Sequence, residues 1–115
     1  MSLKIFHNPL CSKSRATLQL LQERGLEPEV VLYLETPPNA SELSSILNSL
    51  GRKPRELMRT GEDEYRAQGL DDDTLSDEAL IAAMVATPKL IERPIVLKDG
   101  RAAVGRPPES VLTIL

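Results

Sequence analysis

The stretch LKIFHNPLCSKSRATLQLLQERGLEPEVVLYL, residues 3–34, contains the pattern that decides the fold. Its first residues predict a short β-strand that the Asn-Pro pair at 8–9 ends. Good helix formers follow over 12–24, and Gly25 is a typical helix stop. The apolar run 30–34 favours a strand buried on both faces of a parallel sheet. Strand, helix and strand in this order predict a right-handed βαβ unit.

The middle of the chain predicts several helices. Asn39 can cap one of them, because Glu42 three residues later can complete a capping box. Ser76 can cap another, whose first turn is acidic. Between them, 52–68 predicts short helical pieces and 71–73 an exposed acidic loop. The apolar positions expected to face the core in this region are Leu43, Ile46, Leu47, Leu50, Leu57, Met58, Tyr65, Leu80, Ile81, Met84 and Val85.

The last third of the chain predicts a β-hairpin and a final short helix. The apolar runs 94–97 and 102–104 flank an Asp-Gly pair at 99–100, which is a strong hairpin signal. Two prolines at 107–108 open the last helix. The whole order predicts an α/β protein with a thioredoxin-like (glutaredoxin-like) fold, in which a mixed four-stranded sheet carries a helical insertion. We find no linker, so we expect a single domain spanning residues 1–115.

Composition excludes several classes of function. The net charge is −3, which argues against a nucleic-acid binder, because such proteins usually present a basic face to phosphates. No apolar run approaches the roughly 20 residues that a membrane-spanning helix needs, and no signal-like segment opens the chain. We therefore expect a cytoplasmic protein, a monomer, with no membrane or nucleic-acid partner.

The chain contains one cysteine and one histidine. It therefore cannot form an internal disulfide, a cysteine-based zinc site or a centre of several histidines, and we expect no bound metal. Any redox cycle at the cysteine must take its second thiol from another molecule.

Cys11 follows a predicted strand and turn and directly precedes a predicted helix. The free N–H groups and the dipole at a helix start stabilise a thiolate and attract anions. Lys13 and Arg15 add positive charge, and His7 lies at the end of the strand. A lone cysteine is often an inert apolar residue, but the polar residues around Cys11 favour a functional thiol.

The segment Cys11-Ser12-Lys13-Ser14 is a Cys-x-x-Ser motif. Its serine cannot resolve a mixed disulfide, as the second thiol of a Cys-x-x-Cys motif does. A phosphatase loop would need an arginine six positions after the cysteine, where this chain has Thr17. The phosphatase interpretation is thereby weakened, although it stays open at this point.

Five blocks of sequence resemble one known family. They are HNPLCSKSR at 7–15, YLETPP at 33–38, ELMR at 56–59, LIERPIV at 90–96 and GRPPE at 105–109. In this order they resemble the ArsC family of glutaredoxin-linked arsenate reductases, and among them its short YfgD-type branch. The likeness extends over essentially the whole chain.

The resemblance implies a thioredoxin-like fold with a helical insertion and a catalytic Cys11 that attacks arsenate. It implies glutathione as a reducing co-substrate, glutaredoxin as a partner and no bound cofactor. It also implies a cis peptide bond before Pro94, facing the cysteine. By motif position, the oxyanion-binding arginines are Arg59, Arg93 and Arg106, and the residues that help to activate the thiolate are His7, Ser14 and Arg15.

Other interpretations are compatible with the same residues. The transcription regulator Spx resembles this family, and a regulatory module that binds RNA polymerase is one alternative, although Spx-type proteins commonly have Cys-x-x-Cys where this chain has Ser14. A glutathione-dependent thiol transferase is another alternative. Isolated arginines are usually surface charges, His7 is equally compatible with an ordinary strand-end residue, and a serine in the first turn of a helix commonly bonds a backbone N–H.

Overall fold

The computed structural model describes residues 3–115. The chain forms two compact units. Of the described residues, the first unit contains 3–36 together with Arg93–Leu115, and the second is Pro37–Glu92. In sequence, the second unit is therefore an insertion into the first.

The first unit is built on a four-stranded sheet. Its strands are β1 (Leu3–Phe6), β2 (Glu29–Val31), β3 (Ile95–Lys98) and β4 (Arg101–Val104), in the spatial order β2-β1-β3-β4. β1 and β2 are parallel, whereas β1–β3 and β3–β4 are antiparallel. The predicted mixed four-stranded sheet is confirmed.

The prediction for the second strand was wrong in length and in burial. We expected a strand over 30–34 buried on both faces, but β2 is Glu29–Val31 and lies at an edge of the sheet. Val30 is 43% exposed, and the chain turns immediately afterwards, where the N–H of Glu35 donates to the carbonyl of Leu32 at 2.9 Å. Apolar, β-branched composition reports local preference, while burial depends on the strand's place in the sheet.

The hairpin between β3 and β4 is confirmed. Its turn residues, Asp99 and Gly100, both have positive φ angles, 49° and 85°. Two consecutive positive φ values are what a two-residue turn needs to match the twist of the flanking strands. Gly and Asp tolerate them better than most other residues do.

Helix α1 (Ser12–Glu23) and a 3₁₀ helix (Pro108–Ile114) pack against each other in this unit. Gly25 follows α1 with a φ of 76°, as its predicted role as a stop requires. The last helix was predicted as a short helix, and it is a 3₁₀ helix. The buried cluster of the first unit consists of Ile5, Leu21, Val96, Val111 and Ile114.

The second unit is helical. It contains α2 (Ala40–Leu50), α3 (Pro54–Leu57), α4 (Asp63–Ala67), α5 (Asp77–Ala86) and a 3₁₀ turn (Pro88–Leu90). The two short helices α3 and α4 confirm the prediction of helical pieces between the two longer helices.

The predicted caps of α2 and α5 are present. The N–H of Glu42 donates to Oδ1 of Asn39 at 2.8 Å, and the N–H of Asn39 donates back to the Glu42 carboxylate at 3.2 Å. Ser76 Oγ accepts from the N–H of Ala79 at 3.2 Å. Most predicted core positions are buried. The predicted positions that are only half-buried are Leu50, Ile81 and Val85.

Arg55 ties α3 to the loop that follows α4. It donates to the carbonyl oxygens of Leu70 at 2.6 Å and Asp72 at 2.9 Å, and to the hydroxyl of Tyr65. The acidic loop 71–73 is exposed, as predicted. Over residues 3–115, no helix has the length and apolar character needed to span a membrane.

Candidate active site around Cys11

Cys11 is the N-cap residue of α1, with an extended backbone conformation (φ −96°, ψ 124°). Its N–H donates to the carbonyl of Asn8 at 3.0 Å, and its own carbonyl accepts the N–H of Arg15 at 3.0 Å. These bonds fix the residue where the strand-to-helix turn becomes helix. Its side chain is buried, and the residue is 8% exposed.

The pKa of the Cys11 thiol lies below its ordinary value. Burial raises this pKa, but the N–H of Ser14, the positive charge of Arg93 and the N–H of Lys13 lower it. A hydrogen bond from the Arg93 side chain to the thiol lowers it further. The balance favours the thiolate, which is the nucleophilic form of cysteine.

The turn before Cys11 is held from two directions. Asn8 Oδ1 accepts the N–H of Leu10 at 3.0 Å, and Arg15 Nη1 donates to the carbonyl of Pro9 at 2.9 Å. Arg15 itself is exposed. Its side-chain hydrogen bond is made to the backbone of the turn before Cys11.

His7 and Ser14 form a buried polar pair. His7 Nδ1 lies 2.6 Å from Ser14 Oγ, which also accepts the N–H of Asn8 at 3.0 Å. The pKa of His7 is lowered, first by burial and then by the charge of Arg15. A lowered pKa leaves the imidazole uncharged at neutral pH. The pair connects the end of β1 to the first turn of α1.

Arg93 directly precedes Pro94, and the bond between them is cis, as the resemblance implied. The guanidinium atoms Nε and Nη1 of Arg93 are buried. The side chain reaches the thiol of Cys11. A second cis bond, between Arg106 and Pro107, was not predicted.

Arg106 lies beside Arg93. Its Nη1 donates to the carbonyl of Arg93 at 3.3 Å, and its side chain is exposed. The structure therefore brings five predicted site residues together with Cys11 in the first unit. They are His7, Ser14, Arg15, Arg93 and Arg106.

Arg59 belongs to the second unit, where it pairs with carboxylates. Its Nη1 lies 2.7 Å from Glu62 and its Nε 3.8 Å from Glu92. Its N–H donates to the carbonyl of Leu90 at 2.7 Å. Glu62 also pairs with Lys89, whose Nζ lies 3.5 Å from Oε2 of Glu62. Arg59 is thus part of an ionic network.

The sequence profile of the ArsC family matches residues 6–114. This chain belongs to the ArsC family. It is 60% identical over 114 residues to the uncharacterized protein YfgD of Escherichia coli K12, covering 98% of this chain and 96% of that protein. It is 54% identical over 114 residues to a protein named arsenate reductase from Neisseria meningitidis, covering 98% and 97%.

A solved structure of this family superposes closely on the chain. It is described as an arsenate reductase from Vibrio cholerae, and it matches with a TM-score of 0.97 and 53% identity over 100% of this chain and 98% of that one. ArsC-family neighbours of this kind have a thioredoxin-like fold, so the predicted fold class is confirmed.

Two residues that contact predicted site residues, or adjoin them, were not singled out from the sequence. Gly105 precedes the predicted Arg106, and its N–H donates to the carbonyl of Pro94 at 2.9 Å. Glu62 follows Arg59 by three residues, and their ion pair spans a turn of the chain that precedes α4. Over residues 3–115, no group of three His, Cys, Asp or Glu side chains is placed to hold a metal ion.

Proposed function

We propose that this protein is an arsenate reductase, which reduces arsenate to arsenite with glutathione as reductant and glutaredoxin as partner. The observation that carries the proposal is the Cys11 thiol, which has a lowered pKa and a hydrogen bond from Arg93. A nucleophile beside a cation that binds oxyanions is the combination that such chemistry needs. The relatives named arsenate reductase support the choice of substrate.

In the first step, the Cys11 thiolate attacks arsenic. A sulfur–arsenic bond forms and an arsenic–oxygen bond breaks, and the departing oxygen leaves as water after taking protons from solvent. Arg93 and Arg106 bind the oxyanion, since guanidinium groups match tetrahedral oxyanions and offset their repulsion by a thiolate. For Arg59, which belongs to the second unit, oxyanion binding stays a prediction from the family motif.

In the second step, the glutathione thiolate attacks the sulfur of Cys11. The sulfur–arsenic bond breaks and its electron pair goes to arsenic, so arsenic(V) becomes arsenic(III). The two sulfurs lose two electrons together and form a mixed disulfide. A glutaredoxin thiolate then attacks the glutathione sulfur and releases the Cys11 thiolate. This outside thiol is required because the chain has one cysteine.

The buried pair of His7 and Ser14 supports the nucleophile indirectly. Ser14 Oγ bonds His7 and the N–H of Asn8, and the backbone N–H of Ser14 bonds the thiol. Arg15 holds the carbonyl of Pro9 and thereby the turn. We propose positioning roles for these three residues. A glutathione-dependent cycle also fits the reducing cytoplasm, where we place the protein.

The test is arsenate-dependent oxidation of glutathione by the purified full chain with glutaredoxin. We expect turnover that stops when arsenate, glutathione or glutaredoxin is omitted. Reduction of a glutathionylated peptide, with no response to arsenate, would instead favour the thiol transferase. Retention of RNA polymerase without any oxyanion reduction would favour the Spx-like module. Both alternatives stay predictions from the sequence.

Glu62→Gln is expected to lower the KM for arsenate about two- to fivefold. Glu62 pairs with Arg59 at 2.7 Å, so it occupies a guanidinium that the family motif predicts for the oxyanion, and its charge would repel an incoming anion. A partly exposed ion pair is worth up to about 1 kcal/mol, which is roughly fivefold in an equilibrium constant. Steady-state kinetics at fixed glutathione would measure the change.

The matched control is Glu64→Gln, which removes the same charge from a carboxylate that pairs with Lys89 at 2.9 Å. It should leave KM nearer to the wild-type value. An unchanged or higher KM for Glu62→Gln would show that Glu62 does not compete with the substrate for Arg59.

A further inference from the structure

Gly105 lies at the end of β4, where the backbone leaves no room for a side chain. A Cβ atom at this position would lie 2.8 Å from Cγ of Pro94 and 3.1 Å from Cγ2 of Thr17, and closer still to Oγ1 of Thr17. Carbon atoms in van der Waals contact are about 3.5–4.0 Å apart. Only a hydrogen atom therefore fits between Gly105 and these two residues.

The neighbours of Gly105 have little freedom to move away. Thr17 is completely buried, and its Oγ1 donates to the carbonyl of Lys13 at 2.8 Å. A β-branched side chain in a helix has few alternative rotamers. Pro94 is buried and its ring is rigid, and its carbonyl accepts the N–H of Gly105 at 2.9 Å. Extra volume at Gly105 would therefore displace backbone.

The two segments that meet at Gly105 are those that carry the thiol and its cation. Thr17 lies on α1, six residues after Cys11, and this separation is only about 9 Å along a helix. Pro94 directly follows Arg93. Gly105 also precedes Arg106, whose Nη1 donates to the carbonyl of Arg93 at 3.3 Å. Gly105 thus lies at a point where α1 and the segment at 93–94 come close to each other.

We propose that Gly105 is a positioning residue. The absence of a side chain there lets α1 approach the segment at 93–94 closely enough for the Arg93 guanidinium to hold the sulfur of Cys11. The role concerns the thiolate and its cation, so it holds for any reaction at this cysteine and goes beyond the reduction of arsenate.

Arg93 is the charged group to which the effect is assigned. The other titratable or charged groups around the cysteine turn are Lys13, which is exposed, His7, which is uncharged at neutral pH, and Arg15, which is bound to the carbonyl of Pro9. Arg106 donates to backbone beside Arg93.

The test measures the rate of alkylation of Cys11 by iodoacetamide against pH in the full chain. In Gly105→Ala, we expect the profile to move to higher pH, because the thiol of Cys11 loses its proton at a higher pH when its sulfur lies farther from Arg93. A displacement of about one pH unit would lower the rate roughly tenfold on the acidic side of the profile. A folded variant with the wild-type profile would overturn the proposal.

Gly61→Ala is the matched control. A Cβ atom at Gly61 would meet nothing within 4 Å, and this glycine lacks the positive φ of the turn glycines. We expect it to keep the wild-type alkylation profile. A displacement as large as that of Gly105→Ala would show that any added methyl group has this effect, which contradicts the proposal.

Two double variants separate positioning from a general loss of packing. In an Arg93→Ala background, Gly105→Ala should produce little further displacement, because the cation it positions is gone. A full displacement in that background would overturn the proposal. In a Thr17→Ala background, the contacts with Oγ1 and Cγ2 are removed, so the displacement should be smaller. Because the contact with Pro94 remains, the displacement of the alkylation profile should still be measurable.

The Thr17→Ala background also serves if Gly105→Ala alone does not fold. Proteins with Thr17→Ala, with and without Gly105→Ala, are then compared directly. The profile of the double variant should lie at higher pH than that of Thr17→Ala. Identical profiles would contradict the role of Gly105. These measurements require no arsenate, so failure of the reductase assay and failure of this proposal are distinct results.

Discussion

Cys11→Ser is expected to abolish arsenate-dependent glutathione oxidation, with a loss of more than roughly 10³-fold, as for removal of a catalytic nucleophile. A serine hydroxyl keeps its proton at neutral pH, so the groups that stabilise the thiolate cannot generate a comparable nucleophile. It also cannot form the mixed disulfide through which glutathione delivers electrons. Glutathione oxidation is measured with and without arsenate at equal protein concentration.

The same substitution is expected to stabilise the fold. Cys11 is the N-cap of α1, and the sulfur of a protonated thiol is a weak hydrogen-bond acceptor, whereas serine is among the favoured N-cap residues. We expect a gain of about 0.5–1 kcal/mol in the free energy of unfolding, measured with urea at a pH below the pKa of the thiol. Activity and stability should thus change in opposite directions.

The gain in stability should depend on pH. Because folding lowers the pKa of Cys11, the ionised thiol stabilises the wild-type protein above the pKa of the unfolded chain. This contribution is lost as the pH falls through the pKa of the folded state. The advantage of Cys11→Ser should therefore be largest at low pH and shrink as the pH rises. Retained activity, or a less stable variant at low pH, would contradict the role given to Cys11.

The order of strands and helices was predictable from the sequence because each signal is local. Asn39 with Glu42 defines a cap within four residues, and Asp99-Gly100 defines a turn within two. The burial of β2 was not predictable in this way. Whether Val30 faces protein or solvent depends on the strand beside it, and within residues 3–115 β2 has a strand partner on one side only.

In the candidate site, too, local features were predictable from the sequence, whereas features that depend on distant residues were not. Cys11 was identifiable because a polar turn followed by a helix is a local pattern that favours a thiolate. The roles of Arg93 and Arg106 came from the family motifs, and their proximity to each other became visible only in the fold. Gly105 gives no distinctive local signal, because its contact with Thr17 joins residues that are far apart in the chain.

Arg93→Ala is expected to have the second largest effect, a loss of roughly 10²–10³-fold in kcat/KM for arsenate, comparable to removal of one oxyanion donor. Arg93 acts on both reactants, since it hydrogen-bonds the thiol and is proposed to bind the oxyanion. Its charge lowers the pKa of Cys11, so its removal raises that pKa. The alkylation profile of Cys11 should move to higher pH in parallel with the loss of turnover.

Three further arginine variants divide this effect into its parts. Arg93→Lys keeps a positive charge but loses the planar guanidinium. The pKa of Cys11 should therefore lie closer to its wild-type value than the KM for arsenate does. Arg106→Ala should raise the KM, because Arg106 is proposed to bind the oxyanion. It should change the alkylation profile little, because Arg106 bonds the backbone carbonyl of Arg93 and the Arg93 guanidinium is kept. Arg101→Ala removes the same charge from an exposed position in β4 and should change neither quantity appreciably.

If Arg93→Ala left the alkylation profile unchanged, the thiolate would owe its stability to the helix N–H groups alone, and Arg93 would act only on the substrate.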